Sequence, residues 1–303
     1  MANVGINIYN WAADRTVKAI LNLSSSKYRR LSWYNTSGPT SKYGFCGKLR
    51  ALISVQEVND IWHTIDVPKL KRLKNIHSDK DRCFIMGSGP SLNLLDLGKL
   101  KNEMTFGVNA CYLNFDKMGF IPSYYVVEDN LVAEDRADEI NRLRGMTKFF
   151  PIRLAYCLNR DEDTIFLNHS PDITARRFST DISQFTCGGH TVVFTCLQIA
   201  YYMGFKKAYL IGMDHNYVIP ERYRKYNPNL NYIIYSTEDD SSHFHKDYFG
   251  RGYRWHNPKS HLMEKAYEIA KRIYNEDGRF IYNASKGGKL EVFKRVSYED
   301  LFS

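Results

Sequence analysis

The chain has 303 residues, with 42 lysines and arginines against 33 aspartates and glutamates, a formal net charge of +9, and 44% hydrophobic residues. Those proportions exclude a disordered chain and fit a soluble globular protein with one large core or two modest ones. The positive charge points to an anionic partner such as a nucleotide, a phosphorylated lipid or a membrane surface, while the dispersed basic residues and the lack of a recognisable module argue against nucleic acid.

In chain order, Asn3, Asn7, Asn10, Asp14 and Arg15 interrupt any apolar stretch at the N-terminus, so no signal peptide is expected. No run is long enough to span a bilayer. The cysteines at 46, 83, 111, 157, 187 and 196 form no Cys-x-x-Cys pair, which suggests reduced thiols in the cytoplasm. Residues 1–78 read as a mainly helical extension, with a Ser/Gly/Thr-rich stretch at Thr36–Ser41 and a helical pattern around Val55–Ile65. Trp11, Trp33 and Trp62 are expected to be packing anchors; the alternative is a surface that touches lipid or a partner.

From Asp81 a βα rhythm begins. Strands are predicted at Cys83–Met86, Met104–Val108, Ser123–Val127, Thr147–Phe150, Ala208–Ile211 and Phe280–Tyr282. Helical patterns fall at Leu131–Leu143, Thr191–Met203 and Ser260–Asn275, and Leu92–Leu100 reads as a helix or turn. This alternation predicts an α/β fold, a Rossmann-like mostly parallel sheet with helices on both faces, over residues 79–303. The segment 217–258 is expected to be a lid, since Tyr217–Tyr235 is rich in Tyr, Asn, Arg and Pro and reads as a long flexible loop.

Chemistry concentrates at the strand ends. The turn Gly87-Ser88-Gly89-Pro90-Ser91 follows the first strand, where glycines permit close approach to a ligand and a helix start offers N–H groups to an anion. It is neither a Walker A loop nor a dinucleotide fingerprint. Asn109, Glu128-Asp129 and Asp214-His215 end other strands and are expected to converge on one crevice, or else to cap the helices that follow. Thr186-Cys187-Gly188-Gly189-His190-Thr191 precedes an apolar helix and reads as a second anion cradle or as an ordinary turn. His215, His243, His245, His256 and His261 cluster in sequence. They offer a general base, while hydrogen-bonded structural histidines are the plain alternative; no metal site is expected from them.

Taken in order, Gly87-Ser-Gly-Pro-Ser-Leu92, Asn109, Gly188-Gly-His-Thr191, Gly204-Phe-Lys-Lys-Ala-Tyr-Leu-Ile-Gly-Met-Asp-His215 and Ile281-Tyr-Asn-Ala-Ser-Lys-Gly-Gly-Lys-Leu-Glu-Val-Phe293 resemble the motility-associated-factor and 6-hydroxymethylpterin-diphosphokinase-like family. That family is similar in turn to bacterial sialyltransferases of the single-Rossmann GT-A-variant type. The resemblance implies a site for a CMP-activated sialic or related nonulosonic acid. Gly87, Ser88, Gly89, Pro90 and Ser91 would meet the nucleotide, with Asn109 and Asp129 near ribose or donor sugar. Thr186, Gly188 and Gly189 would hold cytidine or phosphate, with Asp214 and His215 also on the donor side. His256 would be the general base of an inverting, metal-independent transfer, and Tyr217 would steady the departing phosphate. His243, His245 and Tyr248 fall in the lid, near an acceptor. The chain departs from those sialyltransferases at Ser88, where they carry Asn, and at Phe185, where they carry Arg.

The leading expectation is therefore a cytoplasmic glycosyltransferase for a surface glycan, without a bound cofactor. It would use a nucleotide sugar and a glycan or lipid-linked acceptor, with possible peripheral contact to the inner membrane face and possible homo-oligomerisation. The alternatives are a pterin-type diphosphokinase using ATP and Mg²⁺ held by Asp129 and Asp214, and a non-catalytic nucleotide-binding protein.

Overall fold

Eight parallel strands carry the fold in the computed structural model, which describes residues 44–170, 177–227 and 231–303, with 44–52 described by backbone alone. In chain order the elements are helix α1 (Gly44–Arg72), β1 (Arg82–Met86), β2 (Thr105–Val108), β3 (Tyr124–Val126), α2 (Asn130–Asp135), β4 (Thr147–Pro151), β5 (Thr164–Leu167), β6 (His169–Ser170) and β7 (Thr186–Cys187). There follow α3 (Val192–Met203), β8 (Lys207–Ile211), β9 (Ile233–Tyr235), β10 (Arg254–His256), α4 (Ser260–Glu276), β11 (Phe280–Asn283) and β12 (Lys294–Arg295). The main sheet runs β12-β11-β8-β1-β2-β3-β4-β5, and its ladders are parallel. This is the Rossmann-like α/β architecture. The order reverses direction at β1, which lies between β2 and β8, and such a switch point opens a crevice beyond the strand ends.

Residues of β1 alternate between the two faces of the sheet. Cys83 and Ile85 join one core with α3, α4 and part of α1, whereas Phe84 and Met86 join the other. Each such fully buried large side chain contributes about 1.5–3 kcal/mol. The long helices gather on the first face. Short 3-10 turns at Pro90–Leu94 and Leu97–Leu100, together with Phe244, Tyr248 and Tyr298, cover the second.

The α1 helix extends well beyond the Val55–Ile65 pattern. Val55, Trp62, Asp66 and Leu70 are buried along one stripe. Trp62 Nε1 donates to the Phe166 carbonyl over 2.7 Å, and Asp66 accepts from Phe166 N and from both Arg160 Nη groups. These bonds tie the helix to β5, a strand the periodicity missed because it is short and follows the acidic turn Asp161-Glu-Asp163. The expectations for Trp11, Trp33 and Thr36–Ser41 lie outside the described residues. Among the described residues, no helix is long and apolar enough to cross a membrane.

The lid differs from a long flexible loop. β9 and β10 form an antiparallel hairpin, and Glu221–Arg224 is a short helical turn. Arg254 donates to Asp135 through its backbone N and guanidinium, and to Glu134 Oε2 over 2.9 Å. Buried Arg136 donates to the Tyr248 carbonyl over 2.8 Å and lies 3.9 Å from the centre of the Tyr253 ring. Glu134 and Asp135 sit at the C-terminal end of α2, where acidic residues oppose the helix dipole. Their shared partner on the lid, Arg254, accounts for that placement.

Candidate active site

A cleft of about 400 Å³ opens beyond the carboxyl ends of the strands, at the switch point. β1 delivers Gly87, Ser88 and Gly89, β2 delivers Asn109, β3 leads to Glu128 and Asp129, β4 leads to Arg153, and β8 leads to Asp214, His215 and Tyr217. Most of the expected strand-end residues thus meet in one place. The glycines of the first turn are needed for close packing. A Cβ on Gly87 would fall 2.5 Å from the Gly212 carbonyl oxygen, and one on Gly89 would fall 2.5 Å from Asp214 Cγ. Gly87 N and Gly89 N donate to Ile211 O and Gly212 O, stitching the turns after β1 and β8 together.

Asp214 is held by that turn. Its two carboxylate oxygens accept from Ser91 N, over 2.8 Å, and from Ser91 Oγ. Pro90 and Ser91 do not line the cleft, so Ser91 supports the site through Asp214. Asp129 is likewise committed. One oxygen caps α2 by accepting from Leu131 N and Val132 N, and the other lies 2.7 Å from His256 Nδ1. An ionised carboxylate only accepts hydrogen bonds, so Nδ1 carries the proton and the imidazole is oriented with Nε2 as its second functional atom.

Electrostatics reinforce this pair. Burial works against the Asp129 charge, but His256 and the two capping N–H groups outweigh it and bring its pKa from 3.8 to about 2. Burial also works against protonation of His256, with Arg153 and Arg254 opposing it further; the Asp129 carboxylate overcomes them and raises the histidine pKa above 6.5. The six-residue helix α2 sets the geometry. Its N-cap is the histidine's partner, and the acids at its far end hold Arg254, two residues before His256.

The cleft also holds Arg153 and Lys259, which sequence reasoning did not single out. Arg153, 6% exposed, donates to the Glu128 carbonyl, and its Nε has no hydrogen-bond partner. Burial opposes ionisation of Glu128, but His169, Arg153 and Thr195 hold its carboxyl below the usual range. Lys259, His190 and Thr191 line the cleft as well, and Thr191 caps α3 so that this helix's positive end faces it. Tyr248 packs its hydroxyl beside Ser88 and Asn109, yet neither that hydroxyl nor Asn109 Oδ1 has a well-formed hydrogen bond. Asn109, His190 and His215 adopt positive φ of 49°, 61° and 51°. Strained backbone of this kind concentrates at ligand sites.

The other expected residues fall elsewhere or take other partners. Thr186, Gly188 and Gly189 do not line the cleft. Thr186 Oγ1 bonds His169 Nδ1, and a Cβ on Gly189 would collide with Phe194, so this turn serves packing behind α3. His243 pairs with Asp240 at 2.7 Å and stacks on Tyr248, while His215 meets Glu264 at 3.1 Å. His245 lies outside the cleft and accepts from Asp247 N. Tyr217 lines the cleft with its hydroxyl 3.7 Å from Met263 Sδ, and burial raises its pKa to about 12. Among the described residues, no three His, Cys, Asp or Glu side chains gather as a metal-ligand set.

No curated protein matches the chain. A solved structure of MAf glycosyltransferase from Magnetospirillum magneticum AMB-1 aligns at 15% identity with a TM-score of 0.46, covering 91% of this chain and 43% of that one. The present chain thus spans less than half the length of that protein. A family model described as 6-hydroxymethylpterin diphosphokinase MptE-like matches residues 56–220, from α1 through the turn after β1 and the strand ends to the start of the lid. With more than half its length matched, the chain belongs to the 6-hydroxymethylpterin diphosphokinase MptE-like family.

Proposed function

We propose that the protein is a glycosyltransferase that moves a sugar from a nucleotide donor to a hydroxyl acceptor with inversion, and that the donor is a CMP-linked sialic or related nonulosonic acid. The observation that carries this reading is the Asp129–His256 pair, a carboxylate-oriented imidazole in a cleft built for an anion. In the transfer, His256 Nε2 takes the proton of the acceptor hydroxyl as that oxygen bonds to the anomeric carbon. The bond from the anomeric carbon to the donor phosphate breaks, and the nucleotide leaves with the electron pair. Buried Arg153, Lys259 and the N-terminal end of α3 supply the positive potential that stabilises the developing phosphate charge. Asn109 and the Tyr248 hydroxyl, set beside each other and Ser88 at the cleft, are suited to the ribose or sugar.

A diphosphokinase would need Mg²⁺ held by carboxylates. Here Asp129 and Asp214, the strand-end candidates, already accept from backbone N–H groups, Ser91 and His256, so a metal would have to displace those bonds. That commitment of donor atoms favours the transferase reading. Thermal-shift measurements with CMP, CDP, UDP, GDP and ATP, each with and without Mg²⁺, test it. Stabilisation by CMP independent of Mg²⁺ is expected; stabilisation only by ATP with Mg²⁺ would replace this reading with the diphosphokinase.

A further inference from the structure

A second cavity, of about 500 Å³, lies between α1 and the turn that follows β5. Its lining is rich in lysine, arginine and imidazole groups, with His63 and Lys71 from α1 and Arg153 and His169 from the sheet side. Asp181 is the carboxylate in that lining, and its oxygens are taken up by Ser183 N, Ser183 Oγ and Gln184 Nε2 at 3.0, 2.6 and 2.9 Å. Arg153 borders both this cavity and the cleft, is 6% exposed, and has an unpartnered Nε. The nearest carboxylates, Glu128 and Asp129, counter its charge but are shared with other partners. Glu128 accepts from Thr195 Oγ1 at 2.7 Å and lies 3.4 Å from His169 Nε2, and Asp129 serves His256. A buried guanidinium whose donors are not all satisfied is costly unless an anion completes it.

We propose that this second cavity is an oxyanion site that takes the phosphate group of a small polar organic phosphate, with Lys71 and His63 at its mouth and Arg153 at its floor. Arg153 contributes a fixed positive charge beside the cavity, and Lys71 contributes a mobile one. Amides of Asn59 and Asn168 border the cavity and suit the polar remainder of such a ligand. The site shares Arg153 with the cleft but opens on the α1 side of that residue, and it stands whether or not the transferase reading holds.

Isothermal titration with inorganic phosphate, pyrophosphate and glucose 1-phosphate at physiological salt tests the assignment. His63 and Lys71 are exposed on α1, so a Lys71→Glu/His63→Glu variant is expected to keep its fold, checked by circular dichroism. Saturable binding of at least one probe is expected, weakened about tenfold or more in that variant. Lys259→Ala and His256→Ala, which alter the cleft, are expected to leave it unchanged. Tightest binding of glucose 1-phosphate supports an organic phosphate, whereas phosphate and pyrophosphate binding alone would narrow the site to a free anion and overturn that part of the proposal. Binding that survives the charge reversal but falls in Lys259→Ala would move the anion to the cleft and overturn the site. Absence of binding up to about 5 mM of every probe would do the same.

Discussion

Replacing Asp129 by Asn separates the two duties of one carboxylate. An Asn oxygen still accepts from Leu131 N and Val132 N, so the cap of α2 survives, since Asn and Asp are equally good N-caps. The amide NH₂ then faces His256 Nδ1, a donor against a donor. The imidazole responds by moving its proton to Nε2, which turns the base into a donor. By analogy with other oriented imidazoles, kcat should fall about 10²–10⁴-fold. The electrostatic part is smaller. Lowering the carboxyl from 3.8 to about 2 corresponds to about 2.4 kcal/mol unscreened, but 33% of the Asp129 side chain and 43% of the His256 side chain reach solvent, which reduces the stabilisation to about 1 kcal/mol. Its pH window follows from the two shifts. The Asp129 contribution is present above 3.8 and is lost as pH falls toward 2; the His256 contribution is complete below 6.5 and is lost as pH rises through its raised folded value. Urea denaturation should therefore show the widest gap between wild type and D129N between those pH values. Nitrogen-15 NMR of the imidazole reports the tautomer, and nucleotide release from the CMP-sugar that wild type turns over reports transfer. If D129N keeps its proton on Nδ1, or transfers at the wild-type rate, the oriented base is not how this site works.

Two further expectations concern the supports of the site. Arg254→Met leaves Glu134 and Asp135 without their shared cation where their side chains are 0% and 10% exposed, so urea denaturation should show a loss of about 3 kcal/mol. Turnover should fall with it, and Arg254→Lys should restore little because lysine lacks the planar fork; full rescue by lysine would mean that charge alone matters. Asp66→Asn breaks the paired bonds from Arg160, and loss of about 3 kcal/mol together with faster proteolysis within α1 is expected, while unchanged cleavage would show that α1 is held by its apolar stripe alone.

Much of the scaffold was legible because a parallel sheet buried on both faces leaves short apolar runs that end in polar residues, and those ends point to one side. Asn109, Asp129, Asp214 and His215 were found by that rule alone. Arg153 follows from the same rule, since it lies two residues beyond Pro151 at the end of β4, but the Thr147–Phe150 run was read without its exit. β5 was lost because Thr-Ile-Phe-Leu is too short for periodicity to stand out beside Asp161-Glu-Asp163. Gly188-Gly189 shows the opposite error. A missing side chain permits close approach of a ligand and of Phe194 equally well, and sequence carries no mark of which neighbour arrives.

Positive φ at Asn109, His190 and His215 is a property of tertiary constraint, so it too had no local signature. Asp129 is the instructive position. Capping and site chemistry stood as rival explanations for a strand-end aspartate, yet a carboxylate has two oxygens, and here one caps the helix while the other meets His256. The cap fixes the carboxylate's direction with bonds from a helix whose other end anchors the strand carrying His256. A structural role for such a residue is therefore no evidence against a functional one, because the rigidity that the first provides is what the second requires.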